Sequence, residues 1–189
     1  MALLMSFPLL SLASASDSTV PRVDWDYVLR QWNQYLTLPT SQNAINLYDS
    51  LPSDGHIEYS NSAAESMALD SVYNELGMLE RQVISGDTSA LRLAFRLFSL
   101  ADGDFGEQLD IMVGKLIRIN PELFLEELNN CRQLIPNLDG LLGNLGEEYV
   151  DREEAQELEV TLRVEALRGV TKKSLGSIRN ECIANLEDK

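Results

Sequence analysis

The stretch SGDTSALRLAFRLFSLADGDFGEQLDIMVGKLIRINPELFLEELNN, residues 85–130, decides the fold class. Asp87 or Thr88 opens a helix in which Leu91, Ala94, Phe95 and Phe98 form one apolar face. Leu93, Leu97 and Leu100 form a second face, leaving only Arg92, Arg96 and Ser99 as a polar strip. A helix that is apolar on most sides is stable only when neighbours cover it, so this one is expected in the middle of a bundle. Gly103 stops it, and Asp104 with Glu107 three residues on resembles a capping box for the next helix. That helix is expected to turn Leu109, Met112, Leu116 and Ile119 inward. Asn120-Pro121 then reads as an N-cap with proline at the first helical position. Phe124, Leu128, Cys131 and Ile135 line the third helix, and Pro136 ends it.

The same signals continue on both sides. Asp24 caps a helix whose face is Trp25, Val28, Leu29, Trp32 and Leu36, closed by Pro39. Ala44, Leu47, Tyr48 and Leu51 mark a shorter helix before Pro52. Ser62 and Glu65 form a capping box for one long helix with the seam Leu69, Val72, Leu76, Leu79 and Val83, stopped by Gly86. Residues 137–146, NLDGLLGNLG, hold three glycines and read as a hinge-like loop or a poorly formed helix. Asp151 and Glu154 start an acidic helix through Leu158, Leu162 and Leu167 to Gly169. A last helix carries Leu175, Ile178, Cys182 and Leu186. No alternating strand pattern of useful length interrupts this. The expectation is an all-α domain over residues 16–189, with about eight helices in antiparallel hairpins, stacked as a small solenoid or folded as an irregular bundle.

At 189 residues and 44% apolar side chains, the chain is long and apolar enough for one real core. Its 15 basic and 30 acidic residues give a formal charge of −15. Such a balance argues against a phosphate-binding nucleic-acid surface, which needs a clustered basic patch, and against a bare anionic membrane surface. It keeps a protein soluble and can steer a cationic partner. Residues 1–15, MALLMSFPLLSLASA, are uncharged, mostly apolar and end in a small-x-small pattern, so they read as a signal peptide cut after Ala15, although no Lys or Arg precedes the apolar run. That run is too short to span a bilayer and no later one is longer, so no membrane span is expected. Export would place the chain in the periplasm or outside the cell. There Cys131 and Cys182 could form a disulfide; the alternative is two buried free thiols.

Residues 88–130 resemble the helical hairpins of HEAT and armadillo repeat proteins. They are also similar to exported bacterial helical proteins in which a Leu/Arg/Phe-rich helix precedes an Asp-Gly turn and an Asn-Pro-Glu-Leu-Phe helix start. The resemblance implies a stack of helical hairpins and carries no activity, so it transfers no functional residue. No second copy recurs at a fixed period.

Chemistry is sparse. His56, the single histidine, lies in the polar loop SDGHIEYS with no nucleophile motif beside it. One His and two Cys at wide spacing make no zinc site. The run from Asp102 to Asp110 begins like a calcium loop, but Gly106, Glu107 and Val113 stand where a ligand, a turn glycine and a bidentate Glu are required. With thirty acids, some carboxylate pair always meets the spacing of a glycoside hydrolase, so that signal is empty. Arg92 and Arg96, one turn apart, could take an anionic ligand or pair with acids of an adjacent helix. The sequence therefore assigns no catalytic, cofactor or metal residues. Tyr and Trp are the side chains enriched at binding hot spots, and Tyr27, Tyr35, Tyr48 and Tyr59 are the first candidates for a partner surface. Trp25 and Trp32 share a helical face with Val28 and are expected in the core. These features favour a non-enzymatic, exported protein-interaction module, such as an immunity or inhibitor protein against a cationic partner. A scaffold of an envelope complex and a carboxylate-based hydrolase are the alternatives.

Overall fold

The computed structural model describes residues 23–52, 63–135 and 137–188. The signal-like segment, the Ser62 cap, His56 and Tyr59 lie outside those residues. The described chain is all α, with eleven α-helices and three short 3-10 turns. None of the helices is long and apolar enough to cross a membrane.

The first helices are α1 (Trp25–Thr37), α2 (Ser41–Ser50), α3 (Ala63–Asn74), α4 (Leu76–Ile84) and α5 (Thr88–Leu97). Next come α6 (Gly103–Gly114), α7 (Leu116–Ile119), α8 (Pro121–Cys131) and α9 (Leu138–Gly143). The last two are α10 (Glu153–Gly169) and α11 (Gly176–Glu187). Start signals act as their chemistry dictates. Asp24, Asp87 and Asn120 each accept a hydrogen bond from the backbone N–H three residues on, at 2.9, 2.9 and 3.2 Å. Gly86, with φ +86°, supplies the left-handed turn between α4 and α5.

Packing runs in rows. Helix α2 packs on α5, α5 on α8 and α8 on α11, while α4 meets α7, α7 meets α10, and α6 meets α9. Each of these contacts joins a helix to the one three places on. The centre is α5, whose Leu91, Leu93, Ala94 and Phe95 are fully buried, as its two apolar faces require. Trp25 and Trp32 are core residues, and the Trp32 indole N–H donates to the Ser71 carbonyl at 3.2 Å.

Three local expectations are corrected, and the run 138–143 takes the helical one of its two expected forms. The long helix before Gly86 is two helices broken at Glu75, because α3 packs on α1 whereas α4 packs on α5 and α6. The helix after Gly103 also breaks, at Lys115, and α7 turns Leu116 and Ile117 inward while Ile119 stays 53% exposed. The cap position of α6 belongs to Asp102 rather than Asp104, and its side chain makes no capping bond. The glycine-rich run 138–143 is helical. Asn137 caps it by accepting from the Gly140 N–H at 3.0 Å, and its Leu138, Leu141 and Leu142 are buried.

Helix α10 buries two charged residues. Leu158 points to solvent at 59% exposure, and the buried positions are Glu159, Arg163, Val164 and Leu167. Two charged residues therefore sit inside the packing of α10, and they anchor the region described next.

Candidate functional site

At the end of the stack where α6, α9, α10 and α11 converge, the connector from Gly143 to Val150 borders a groove of about 570 Å³. Its floor is apolar: Ile111 from α6, Leu145 from the connector, Val160 from α10 and Leu186 from α11. Its charged groups are Glu107 on α6, Glu147 on the connector, and Glu153 and Glu157 on α10. Among the described residues, no basic one lines it. Glu153 and Glu157 are one helical turn apart and so share a wall of α10, and Glu107 lines the same groove from α6. An apolar floor with negative walls favours a ligand that is both apolar and positively charged.

A second cleft, of about 370 Å³, lies on the other side of the same connector and shares Leu145 and Tyr149 with the groove. It is built on a buried ion network. Arg163, 1% exposed, donates from Nη1 to the Leu142 carbonyl at 2.7 Å and from Nε to Glu159 at 3.2 Å. Arg118 reaches the other oxygen of Glu159 at 2.6 Å, and the Tyr149 hydroxyl approaches that oxygen at 3.4 Å. Burial pushes the Arg163 pKa down while Glu159 opposes the shift, and a guanidinium so paired stays charged. Burial first, then Glu159, pushes the Tyr149 hydroxyl up. The network ties α9 to α10 and α10 to α7, which holds the α10 wall of the groove. A parallel link fastens the groove's other end: Asn144 donates to the buried Asp110 of α6 at 2.8 Å.

Of the tyrosines picked from the sequence, the three described ones, Tyr27, Tyr35 and Tyr48, do not converge. Tyr27 is exposed on α1, with the Arg30 guanidinium 5.6 Å from its ring centre. Tyr35 is 1% exposed, so it presents no surface; its position one turn past Trp32 places it in the core. Tyr48 is half-buried and borders a third cleft, between α2, α5 and α8. There Arg92 makes a two-pronged pair with Glu127 at 2.7 and 2.9 Å, so it pairs with an adjacent helix as one of its two sequence readings required. Arg96 is buried and lies 5.4 Å from the Tyr48 ring centre. Glutamates 107, 153 and 157, which shape the groove, were hidden among thirty acids, since only the fold brings α6 beside α10.

Cys131 and Cys182 are both free and buried. Burial raises both thiols, Cys182 to about 12. Because the folded pKa of Cys182 lies above the usual thiol value, its contribution to stability is complete below about pH 8.5 and is lost as pH rises toward 12. At pH 8 the thiolate fraction is suppressed about a thousandfold at Cys182, so the folded chain should react only slowly with a thiol reagent. Denaturation without reductant should release two titratable thiols per chain. A count of zero in denaturant would show a bridge instead.

No protein-family model, no curated protein and no solved structure matches this chain.

Proposed function

We propose that this protein is a non-enzymatic interaction module that receives a cationic, amphipathic segment of a partner protein in the groove between α6 and α10. The lining carries this reading: among the described residues, four glutamates and no basic residue stand over an apolar floor. Acids on both walls place a basic side chain between them, while Ile111 and Val160 take an adjoining apolar one. The formal charge of −15 adds long-range attraction that speeds encounter with such a partner. In the exported setting predicted by the leader-like start, this chemistry fits an immunity or inhibitor protein that blocks a basic toxin or hydrolase.

A general acidic surface would attract the same partners, so the test must separate groove from surface. The probe is a short peptide of alternating Lys and Leu, titrated into the full chain at low and high salt. Neutralising Glu107, Glu153 and Glu157 together to Gln is expected to weaken binding about tenfold, at less than 1 kcal/mol per pair. Removing three exposed acids elsewhere, with E154Q, E165Q and D188N, should weaken it much less. Equal losses from the two triple variants would place the attraction on the whole surface and sink the groove reading.

A further inference from the structure

We propose that the acidic groove and the cleft beside it are two halves of one dipolar trough, divided by a movable flap formed by residues 147–150. This rests on the groove reading above and specifies its partner. A basic segment seated in the groove continues past Tyr149 and sets an acidic residue against Lys115 and Arg118.

Three observations carry it. The two clefts share Leu145 and Tyr149, both on the connector. Their charges are opposed: among the described residues the groove has four acids and no base, whereas the second cleft is lined by Lys115, Arg118 and Arg163 against Glu148 and Glu159. The flap itself is hinged and lightly held. Gly146, with φ +112°, precedes it, and Asp151, with φ +59°, follows it; Asp151 is the sole non-glycine residue with positive φ among the described residues. Two left-handed positions bracketing four residues, one of them not a glycine, mark a segment held in a sparsely populated conformation. None of residues 147–149 is buried and Val150 is 61% exposed.

The flap's hydrogen bonds show which way it moves. Among the described residues they run within the connector or to α10: Tyr149 N–H to the Gly146 carbonyl at 3.1 Å, Val150 N–H to the Glu147 carbonyl at 3.1 Å, and the Gln156 amide to the Tyr149 carbonyl at 2.7 Å. The Tyr149 hydroxyl, at a long 3.4 Å from Glu159, is also on the α10 side. None of these bonds reaches α6 or α7. The flap therefore rides on α10 and lifts from the α6–α7 side, where the two clefts join. Lys115 is positioned to accept an acidic residue, since its pair with Glu80 is partly exposed and exchangeable.

The test uses the full chain and two probes: the Lys/Leu peptide, and the same peptide carrying two glutamates at one end or the other. One of the extended peptides should bind up to about fivefold tighter than the parent. Lys115→Gln should remove that gain and leave parent-peptide affinity unchanged. Hydrogen exchange reads the flap separately. Alanine at Gly146 strains the closed conformation, so G146A should speed exchange of the Tyr149 and Val150 amides about tenfold while α6 and α10 amides keep their rates. If the parent peptide binds but neither extension helps, and the flap amides exchange only with global unfolding, the trough is overturned and the groove stands. If the parent peptide does not bind, the groove reading fails and the trough falls with it.

Discussion

Replacing Arg163 with Met is expected to cost about 3–5 kcal/mol of stability, because it removes the buried guanidinium of an ion network and leaves both Glu159 and the Leu142 carbonyl one donor short. Glu159 would keep Arg118, whose side chain is 43% exposed, but would lose the guanidinium that meets it inside the protein. The Leu142 carbonyl would lose its 2.7 Å donor at the end of α9. Both losses fall on groups too enclosed for water to replace the bond freely. For a chain of this size, that corresponds to a fall in Tm of about 6–20 °C. Lysine should not rescue, since one ammonium cannot serve the Leu142 carbonyl and Glu159 with the guanidinium's planar fork. A urea melt of R163M beside R163M/E159Q tests the cause. The double variant removes the carboxylate left short of its buried donor and should recover part of the loss, whereas a single-variant cost under about 1 kcal/mol would show that the network adds little.

That network also shows where sequence reasoning stops. Helix existence was legible because local chemistry decides it: Asp24, Asp87 and Asn120 cap their own helices, and the apolar repeats of α5, α8 and α11 are buried as their spacing predicts, as are Trp25, Val28 and Trp32 of α1, while Leu29 and Leu36 are half-buried. In α10 the spacing of Leu158, Leu162 and Leu167 marks a helix but does not say which face is buried. The fold turns Glu159 and Arg163 inward, since Arg118 on α7 and the end of α9 give them partners that no local pattern records. The break at Glu75 has the same origin: α3 and α4 continue one apolar seam, but they pack on different helices.

The contacts between a helix and the one three places on were invisible for a different reason. Helix α2 starts at Ser41, α5 at Thr88, α8 at Pro121 and α11 at Gly176, so the contacts from α2 through α5 and α8 to α11 are made across intervening stretches of different length. A succession of contacts in space need leave no period in sequence. Aromatic enrichment likewise pointed to Tyr35, which the core absorbs, because Trp, Tyr and apolar residues fill a helix interior by the same burial of area that makes them useful in interfaces. The groove is assembled from α6, α10, α11 and a connector, and it became readable only once these were brought together.

Gly140→Ala provides the second large expected effect, about 2–4 kcal/mol of lost stability, at a residue whose sequence context suggested a hinge. Gly140 is buried in α9, and a Cβ there would stand 2.6 Å from Asn137 Nδ2 and 2.9 Å from Asp110 Oδ2. Neither neighbour is free to retreat. Asn137 holds the N-terminus of α9 through its bond to the Gly140 N–H, and Asp110 is buried and accepts from Asn144. Relief of the clash must therefore break the cap, the Asn144 link, or the packing of α9 on α6. Helix propensity alone would make alanine better than glycine by up to about 1 kcal/mol, so the sign of the result separates the two roles. Gly106 provides the control: it sits in α6, where an added Cβ would meet only open space, and Gly106→Ala should stabilise by a few tenths to about 1 kcal/mol. Paired denaturant melts decide the matter. If both alanines stabilise, residues 138–143 are a flexible turn that tolerates a side chain; if only Gly140→Ala destabilises, the glycine is there so that α9 can lie close against α6 and hold the groove's floor in place.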